Sequence, residues 1–320
     1  MGRGVSILLF LLLLFCSAVA RTFTFIPQWR PQAQFAGYYV AYEKGFYREA
    51  GIRLRILTGG PDSPSTELLK DGKADFATMW LSTAIKMKAH GVDLVNIAQI
   101  LQRSSLTLVA WRSKVKRLED LSGKKVGVWG KSFMVPLKAF LKKHGLRVRI
   151  VPEMGSINLF LLGGVDAATA MWYNEYDTII NSGVEPEELT TFQFYKYGFN
   201  FPEDGIYVLK STYHRYPDVC RRFVEASIRG WLYAFEHPDE AVDIVLKYMR
   251  KAHVPASRVH QMWMLNALRD AFFYHGEGGI GVLRREDFES VARILKDEGI
   301  IGSIPEFSDF YKGCVGAEKK

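Results

Sequence analysis

Strand-like and helix-like segments alternate along residues 22–181, and this alternation limits the possible folds more than any other feature of the sequence. Strands separated by helices and short turns predict an α/β fold in which each sheet is mostly parallel. From residue 218 onward the pattern is helical, at 218–236, 238–251, 257–273 and 285–298, so we expect a helical C-terminal tail. The strands that the apolar periodicity predicts are 22–26, 52–56, 74–78, 106–111, 125–129, 148–151 and 166–171.

The first twenty residues have the pattern of an export signal. Arg3 supplies a positive charge, residues 7–15 form an apolar run, and Ala18 and Ala20 are the small residues that a signal peptidase requires. The run is too short to cross the roughly 30 Å hydrocarbon core of a membrane as a helix. Cys16 does not suit lipid attachment, because a phenylalanine precedes it. We therefore expect cleavage after Ala20 and export of the mature chain.

The mature chain is longer than one hydrophobic core usually supports, so two lobes are expected. The formal net charge is +8, but the basic residues are spread along the chain and form no stripe interleaved with aromatics. This distribution disfavours nucleic-acid binding. A disulfide between Cys220 and Cys314 and two free thiols both remain open. The spacing of cysteine and histidine does not suit a metal site.

Sequence motifs of the common enzyme classes are absent. The chain has no nucleophile elbow, no phosphate-binding P-loop motif and no zinc-protease motif. The glycine-rich segment at 276–281 follows a predicted helix rather than a strand, so we interpret it as a connection. The sequence therefore favours a binding protein over an enzyme, and no cofactor is expected.

Aromatic residues gather at the ends of the predicted strands and in the adjoining loops and helix starts. Ligands of open α/β sheets bind beyond the carboxyl ends of the strands, where aromatic rings can stack on a flat ligand. Trp80 and Trp172 each follow a predicted buried strand directly, although such rings can also simply fill a core. The whole set is Trp29, Tyr38, Tyr39, Trp80, Trp129, Trp172 and Tyr173.

Residues 166–176 form the most suggestive segment for ligand binding. The small residues of its first half suit a tightly packed central strand, and Tyr173, Asn174 and Glu175 emerge at the end of that strand. A carboxylate there can accept two hydrogen bonds from an amino-substituted ring. Alternatively, Glu175 interacts with the dipole at the start of the following helix.

Several motifs resemble the NMT1/THI5-like, SsuA-type substrate-binding proteins, and the resemblance covers about residues 25–235. The last of these motifs resemble the subgroup that binds the pyrimidine precursor of thiamine. The motifs are W-x-P-x-x-x-F-A-G-Y-Y-V-A at 29–41, K-G-F-Y at 44–47, A-G-I at 50–52, G-K-A-D-F at 72–76, L-x-G-K-K-V-G-V at 121–128, G-V-D-A at 164–167 and Y-N-E at 173–175.

The resemblance implies a two-lobed periplasmic binding protein fold of type II. Such a protein is the substrate-binding component of an ABC importer in the periplasm, with a membrane permease as its partner, and we expect a monomer. The helical tail is expected to pack on the first lobe. Lobe I would then comprise 21–110 and 211–320, lobe II would comprise 111–210, and the chain would cross near 110–114 and 206–211.

The resemblance also implies how the two lobes share the ligand. Trp29, Tyr38 and Trp80 would line the first-lobe face of the cleft. The second lobe would contribute Tyr173, Asn174 and Glu175, to which the strand-end argument adds Trp172. The expected ligand is a small heteroaromatic solute, such as a formylaminopyrimidine or a hydroxymethylpyrimidine. Riboflavin, sulfonate and nitrate are alternatives, the two anions being disfavoured beside Glu175, and a sensing role for a membrane kinase is another.

The same family contains a eukaryotic enzyme that builds the thiamine pyrimidine from its own histidine and pyridoxal phosphate. Met79 occupies the place of its Schiff-base lysine, and Thr83 the place of its sacrificial histidine. Residues 198–204 stand where that enzyme has a cysteine-rich loop. Without the amine the covalent step cannot occur, so the comparison implies that this chain is not such an enzyme.

Overall fold

A computed structural model describes residues 21–153 and 155–315 of the protein, with the side chain of residue 131 left out. The predicted export signal, residues 1–20, lies outside the described residues. The strands are β1 (Thr22–Ile26), β2 (Arg53–Ile56), β3 (Phe76–Met79), β4 (Leu94–Leu101), β5 (Leu106–Trp111), β6 (Lys125–Trp129), β7 (Arg149–Glu153), β8 (Ala167–Met171), β9 (Leu189–Gln193) and β10 (Glu203–Leu209).

Helices separate most of these strands and form the C-terminal part of the described chain, as the sequence predicts. The helices are α1 (Ala36–Glu43), α2 (Phe46–Glu49), α3 (Ser65–Lys70), α4 (Leu81–Ala89), α5 (Gly130–Lys143), α6 (Asn158–Leu161), α7 (Glu175–Asn181), α8 (Lys210–Arg215), α9 (Pro217–Glu236), α10 (Pro238–Lys251), α11 (Arg258–Phe272), α12 (Arg285–Asp297) and α13 (Phe307–Phe310).

The strands form two five-stranded sheets, in the orders β2-β1-β3-β10-β4 and β7-β6-β8-β5-β9. In the first sheet β1 is parallel to β2 and β3, whereas β10 is antiparallel to both of its neighbours. In the second sheet β6 is parallel to β7 and β8, whereas β5 is antiparallel to both neighbours. Four strands of each sheet therefore run in one direction, which confirms the mostly parallel α/β architecture.

The chain changes sheets earlier than the sequence predicts. It leaves the first sheet after β4 and enters the second with β5, so the first crossing lies at 102–105. It returns between β9 and β10, at 194–202. The predicted crossings at 110–114 and 206–211 instead begin inside β5 and β10. The reason is that β4 is buried on both faces and lacks the alternation that predicts a strand, so the apolar pattern places 106–111 in the first lobe, whereas β5 belongs to the second sheet.

The C-terminal helices pack on the elements of the first sheet. Helix α9 lies along α1, α10 also contacts α1, and α12 contacts α4. The contact between α1 and α9 is close because each helix presents a glycine: Gly37 lies under the indole of Trp231, and Gly230 lies against the backbone of Gly37. Trp231 is fully buried there, so the tail completes the core of the first sheet.

Cys220 and Cys314 are both buried free thiols. Burial raises the pKa of the Cys220 thiol to about 12 and that of Cys314 to about 11, so both are poor nucleophiles at neutral pH. None of the described helices combines the length and apolar character needed to cross a membrane.

Replacing Gly230 with alanine is expected to destabilise the protein, although alanine is favoured over glycine in a helix by about 1 kcal/mol. The new Cβ atom would overlap the carbonyl oxygen of Gly37 and lie 2.7 Å from the Cβ atom of Ala41. We expect the free energy of unfolding, measured by urea denaturation, to fall by about 1–3 kcal/mol. Gly278→Ala, whose Cβ would meet no atom within 4 Å, is the control. Equal stability of both variants would contradict this packing.

Candidate ligand-binding cleft

A cleft of about 300 Å³ lies between the two sheets, at the carboxyl ends of strands from both. Gln28 and Trp29 follow β1, and Trp80 follows β3, so these side chains come from the first lobe. From the second lobe, Trp129 ends β6, and Tyr173 follows β8. The strand-end argument therefore locates the cleft correctly, because parallel strands bring their carboxyl ends to one edge of a sheet.

Five of the seven predicted site residues line this cleft: Trp29, Trp80, Tyr173, Asn174 and Glu175. Trp29 is partly open to solvent, whereas Tyr173 and Glu175 are buried. The structure brings these side chains of both lobes to one cavity, and their contact with a ligand stays a prediction.

Tyr38 does not line the cleft, which corrects the sequence-based prediction. It lies on the face of α1 that packs against the core, with its ring centroid 4.6 Å from that of Phe25 and 5.9 Å from that of Trp231. The Tyr38 side chain is fully buried there. Its role in the structure is to fill the interface between the first sheet and α9.

Trp172 does not line the cleft either. Its indole stacks on the ring of Tyr176 with centroids 4.0 Å apart and lies beside Trp263 of α11. Tyr173, the next residue along the chain, is the one that lines the cleft. Trp172 therefore belongs to the second lobe's apolar cluster, and the strand-end argument could not distinguish the two neighbours.

Two aromatic rings meet across the cleft. Trp80 of the first lobe contacts Phe133 of α5 edge to face, with ring centroids 5.1 Å apart and planes at 80°. Edge-to-face pairs are a favoured geometry for aromatic rings. Since α5 belongs to the second lobe, this contact forms one wall of the cleft from both lobes. The cleft is thus narrow and aromatic, as a flat ring requires.

Glu175 begins α7 and is held by two hydrogen bonds. Its Oε2 accepts from the backbone N–H of Met171 at 2.8 Å, and its Oε1 accepts from Nδ2 of Asn174 at 2.6 Å. Burial raises the pKa of Glu175, against the opposing effect of these donors and of His260. A carboxylate has about four acceptor positions, so Glu175 can still accept from a ligand.

Sequence reasoning missed a polar network in the first lobe. Gln28 and Gln34 line the cleft, and the side-chain amides of both donate to the buried carboxylate of Asp204, at 2.8 Å from Gln34 Nε2 to Oδ2. Burial raises the pKa of Asp204 to about 7. Asp204 has a φ of 53°, in the left-handed region that non-glycine residues rarely adopt. Nothing in the sequence signalled this network, since glutamines in loops carry no motif.

Two further buried carboxylates lie near the cleft. Burial and the nearby Glu175 raise the pKa of Glu153 to about 7, and neither of its carboxylate oxygens has a partner. Glu203 accepts hydrogen bonds from Ser104 and Ser105, and burial raises its pKa well above the ordinary value. Among the described residues that line the cleft, Glu175 is the one charged residue, and none is lysine or arginine. The electrostatic environment is therefore acidic.

A second cavity of about 660 Å³ lies beside the cleft. Thr83 and Ser132 line both spaces, and the second is bordered by α4, α5 and α12. Lys86 and Lys138 lie on its wall. In the described part of the chain, no group of three or more His, Cys, Asp and Glu side chains could hold a metal ion.

The two mixed sheets, the two crossings and the cleft between them define the periplasmic binding protein fold of type II. Two solved structures share this fold. One is the alkanesulfonate-binding protein SsuA from Xanthomonas axonopodis pv. citri, bound to MOPS, with a TM-score of 0.67 and 13% identity; the match covers 91% of this chain and 98% of that one. The other is the periplasmic aliphatic sulphonate-binding protein SsuA from Escherichia coli, with a TM-score of 0.64 and 16% identity; the match covers 89% of this chain and 94% of that one.

The chain belongs to the NMT1/THI5-like family, whose model matches residues 32–241. It is similar to the riboflavin-binding protein RibY of Chloroflexus aurantiacus (27% identity, 70% of this chain) and spans just under two thirds, 65%, of that protein. It is also similar to the formylaminopyrimidine-binding protein of Halalkalibacterium halodurans (23% identity, 71% and 70%). A third relative is the 4-amino-5-hydroxymethyl-2-methylpyrimidine phosphate synthase of Legionella pneumophila (24% identity, 75% and 77%).

The relatives thus include binding proteins and synthases, and two residues of this cleft bear on the distinction. Met79 and Thr83, aligned above with the lysine and histidine of the eukaryotic synthase, both line the cleft. A thioether and a hydroxyl therefore occupy the cavity at these positions. Neither can form a Schiff base, which requires a primary amine.

The raised pKa of Glu153 predicts a pH-dependent stability. At pH values between the ordinary pKa of 4.5 and the raised pKa of about 7, the folded protein keeps this proton on Glu153, whereas the unfolded chain has released it. The stability contributed by the proton is therefore lost as the pH rises through this window. Between pH 4.5 and 8 we expect the free energy of unfolding of the wild type to fall by about 1–3 kcal/mol more than that of Glu153→Gln.

Urea denaturation at several pH values measures this difference. Asp204 titrates in the same window in both proteins, so its contribution cancels. Glu119→Gln, a change at an exposed carboxylate, should follow the wild type. Parallel pH profiles for the wild type and Glu153→Gln would show that the buried carboxyl does not hold its proton.

Proposed function

We propose that the protein is the solute-binding component of an ABC importer and that its cleft binds an amino-substituted pyrimidine of the thiamine-precursor class. One observation carries this proposal: a buried carboxylate, Glu175, lies at the edge of an aromatic slot with acceptor positions left for a ligand. Similarity to a formylaminopyrimidine-binding protein supports the same class.

The raised pKa of Glu175 suits this ligand chemically. An aminopyrimidine presents an N–H donor on its amino group beside a ring nitrogen that accepts a proton. A carboxyl group can accept from the amino group with one oxygen and share a proton with the ring nitrogen through the other. Burial raises the pKa of Glu175. The carboxyl group therefore holds a proton more readily and can share it with the ring nitrogen of the ligand.

The charge of the cleft argues against sulfonate or nitrate as the ligand. An anion in this cavity would face Glu175, with Asp204 behind Gln28 and Gln34, and without a lysine or arginine among the described lining residues. Buried like charges repel strongly because little water screens them. SsuA-like proteins share the fold, but this cleft favours a neutral or proton-sharing ring.

Closure of the two lobes would convert binding into a signal for transport. A ligand that touches both lobes stabilises the closed state over the open one, and Trp80 and Phe133 already meet across the cleft. The importer's permease would recognise the closed state. The predicted export signal, residues 1–20, fits delivery of the mature chain to the periplasm. A sensor subunit for a membrane kinase would use the same closure.

A second candidate ligand is riboflavin. The specific observation in its favour is that a larger second cavity adjoins the aromatic cleft and shares Thr83 and Ser132 with it. A ligand with a fused ring system and a long polar chain would need both spaces, and the chain is similar to RibY. Catalysis of the synthase type is not proposed, because Met79 replaces the amine that the reaction requires.

Glu175→Gln is expected to weaken binding of formylaminopyrimidine by about 1–3 kcal/mol, since a charged buried acceptor is lost. This loss corresponds to roughly 5- to 150-fold in Kd. Isothermal titration calorimetry of the purified protein with formylaminopyrimidine, hydroxymethylpyrimidine, riboflavin and an alkanesulfonate measures it and ranks the ligands.

The matched control is Glu187→Gln, which changes an exposed carboxylate of the same lobe and should bind like the wild type. Unchanged affinity in Glu175→Gln would remove this residue from the site. Tight binding of the alkanesulfonate, without binding of either pyrimidine, would overturn the proposed ligand class.

A further inference from the structure

The imidazole of His260 links the C-terminal part of the chain to the second lobe. His260 lies near the start of α11, which packs on α10 and on β4 of the first sheet. Its Nδ1 is 2.6 Å from Oδ2 of Asp177, and its Nε2 is 2.9 Å from Oδ1 of Asn174. Both partners belong to the α7 region of the second lobe. We call these three side chains the interlobe bridge.

The interlobe bridge places a hydrogen-bond acceptor at each nitrogen of the His260 ring. Asn174 donates from Nδ2 to Glu175, so its oxygen is the atom that faces His260. The partner on the other side, an ionised Asp177, is an acceptor only. Because both ring nitrogens face acceptors, both contacts are hydrogen bonds when each nitrogen carries a proton.

The bridge continues directly to the ligand site. Asn174, oriented by His260, donates to one carboxylate oxygen of Glu175, while the backbone of Met171 donates to the other. We propose that His260 is a positioning residue: it orients Asn174, and through it Glu175, when the lobes are closed. This inference rests on the proposed function, because it assigns His260 an effect on ligand affinity without ligand contact.

A second contact from the same helix supports the closing role. Trp263, one turn after His260, donates from Nε1 to the carbonyl oxygen of Trp172 at 3.4 Å and packs beside Tyr176. Helix α11 thus touches the second lobe beside the strand end that supplies Tyr173 and Glu175. Both α11 residues lie beyond the segment that matches the family model, residues 32–241.

The other charges around the ring are accounted for. On α7, Glu175 lies close enough to His260 to interact electrostatically with it. On α11 itself, Arg258 pairs with Asp239 and Asp243 instead. The geometry therefore leaves the His260 ring to the two α7-region partners, and the orientation of Asn174 and Glu175 depends on these contacts.

Calorimetry with formylaminopyrimidine tests the inference on the full mature chain. We expect His260→Ala to raise the Kd about tenfold, as expected when a hydrogen bond to a charged group is lost. Combining His260→Ala with Asp177→Asn should raise the Kd no further than His260→Ala alone, because both changes remove the same link to Asn174 and Glu175. Val259→Ala, at an exposed neighbour on the same helix, should match the wild type.

Additive effects of His260→Ala and Asp177→Asn, or an unchanged Kd in His260→Ala, would overturn the positioning role. If the wild type binds no pyrimidine, the proposed ligand class fails, and the bridge is then tested without ligand. Nitrogen-15 NMR of the ligand-free protein at pH 6 should show two protonated nitrogens on His260. A ring with a single protonated nitrogen at pH 6 would contradict the bridge.

Discussion

One reversed strand in each sheet determines where the cleft lies. Strand β4 ends at the cleft edge of the first sheet, so a chain that crosses there must enter the second sheet from the same edge. It therefore runs antiparallel to the other strands as β5, and β10 is reversed on the way back for the same reason. The remaining strands keep their carboxyl ends toward the crossing. Two short crossings thus place both ligand-binding edges face to face, close to the axis about which the lobes can move.

This arrangement also explains which parts of the fold the sequence could predict. Strands with regular patterns and short turns, such as β1, β5 and β6, lie where the periodicity places them. Strand β4 was missed because both of its faces are buried and it carries Asn96 and Gln99 inside, which removes the alternation that marks a half-exposed strand. Strand β10 begins with two acidic residues and a glycine, which are poor strand formers. These two strands flank the crossings, so missing them displaced the predicted lobe boundaries.

The candidate site shows the same limit at the level of single side chains. Trp80, Tyr173 and Glu175 were found because each follows the end of a strand, and the position of a strand end is a local property. Tyr38 and Trp172 satisfied the same local rule but point into apolar clusters, since the opposite surface of each is covered by a distant helix, α9 or α11. Asp204 and His260 carry no local signal. Their partners are far away in the chain, so only the folded arrangement reveals them.

The buried carboxyl groups around the cleft affect both the stability of the protein and the kind of ligand that the cleft can accept. Each carboxyl group that is removed from water disfavours its charged form, and Glu153, Glu203 and Asp204 accordingly retain protons more readily than they would in the unfolded chain. Their position beside a cleft without a described lysine or arginine suits the proposed ligand, a ring that can share a proton with Glu175. His260 lies at the other end of this network, where its contacts with Asn174 and Asp177 link α11 to the residues that hold Glu175. In the proposed mechanism, closure and the orientation of the ligand-binding carboxylate therefore depend on the same contacts.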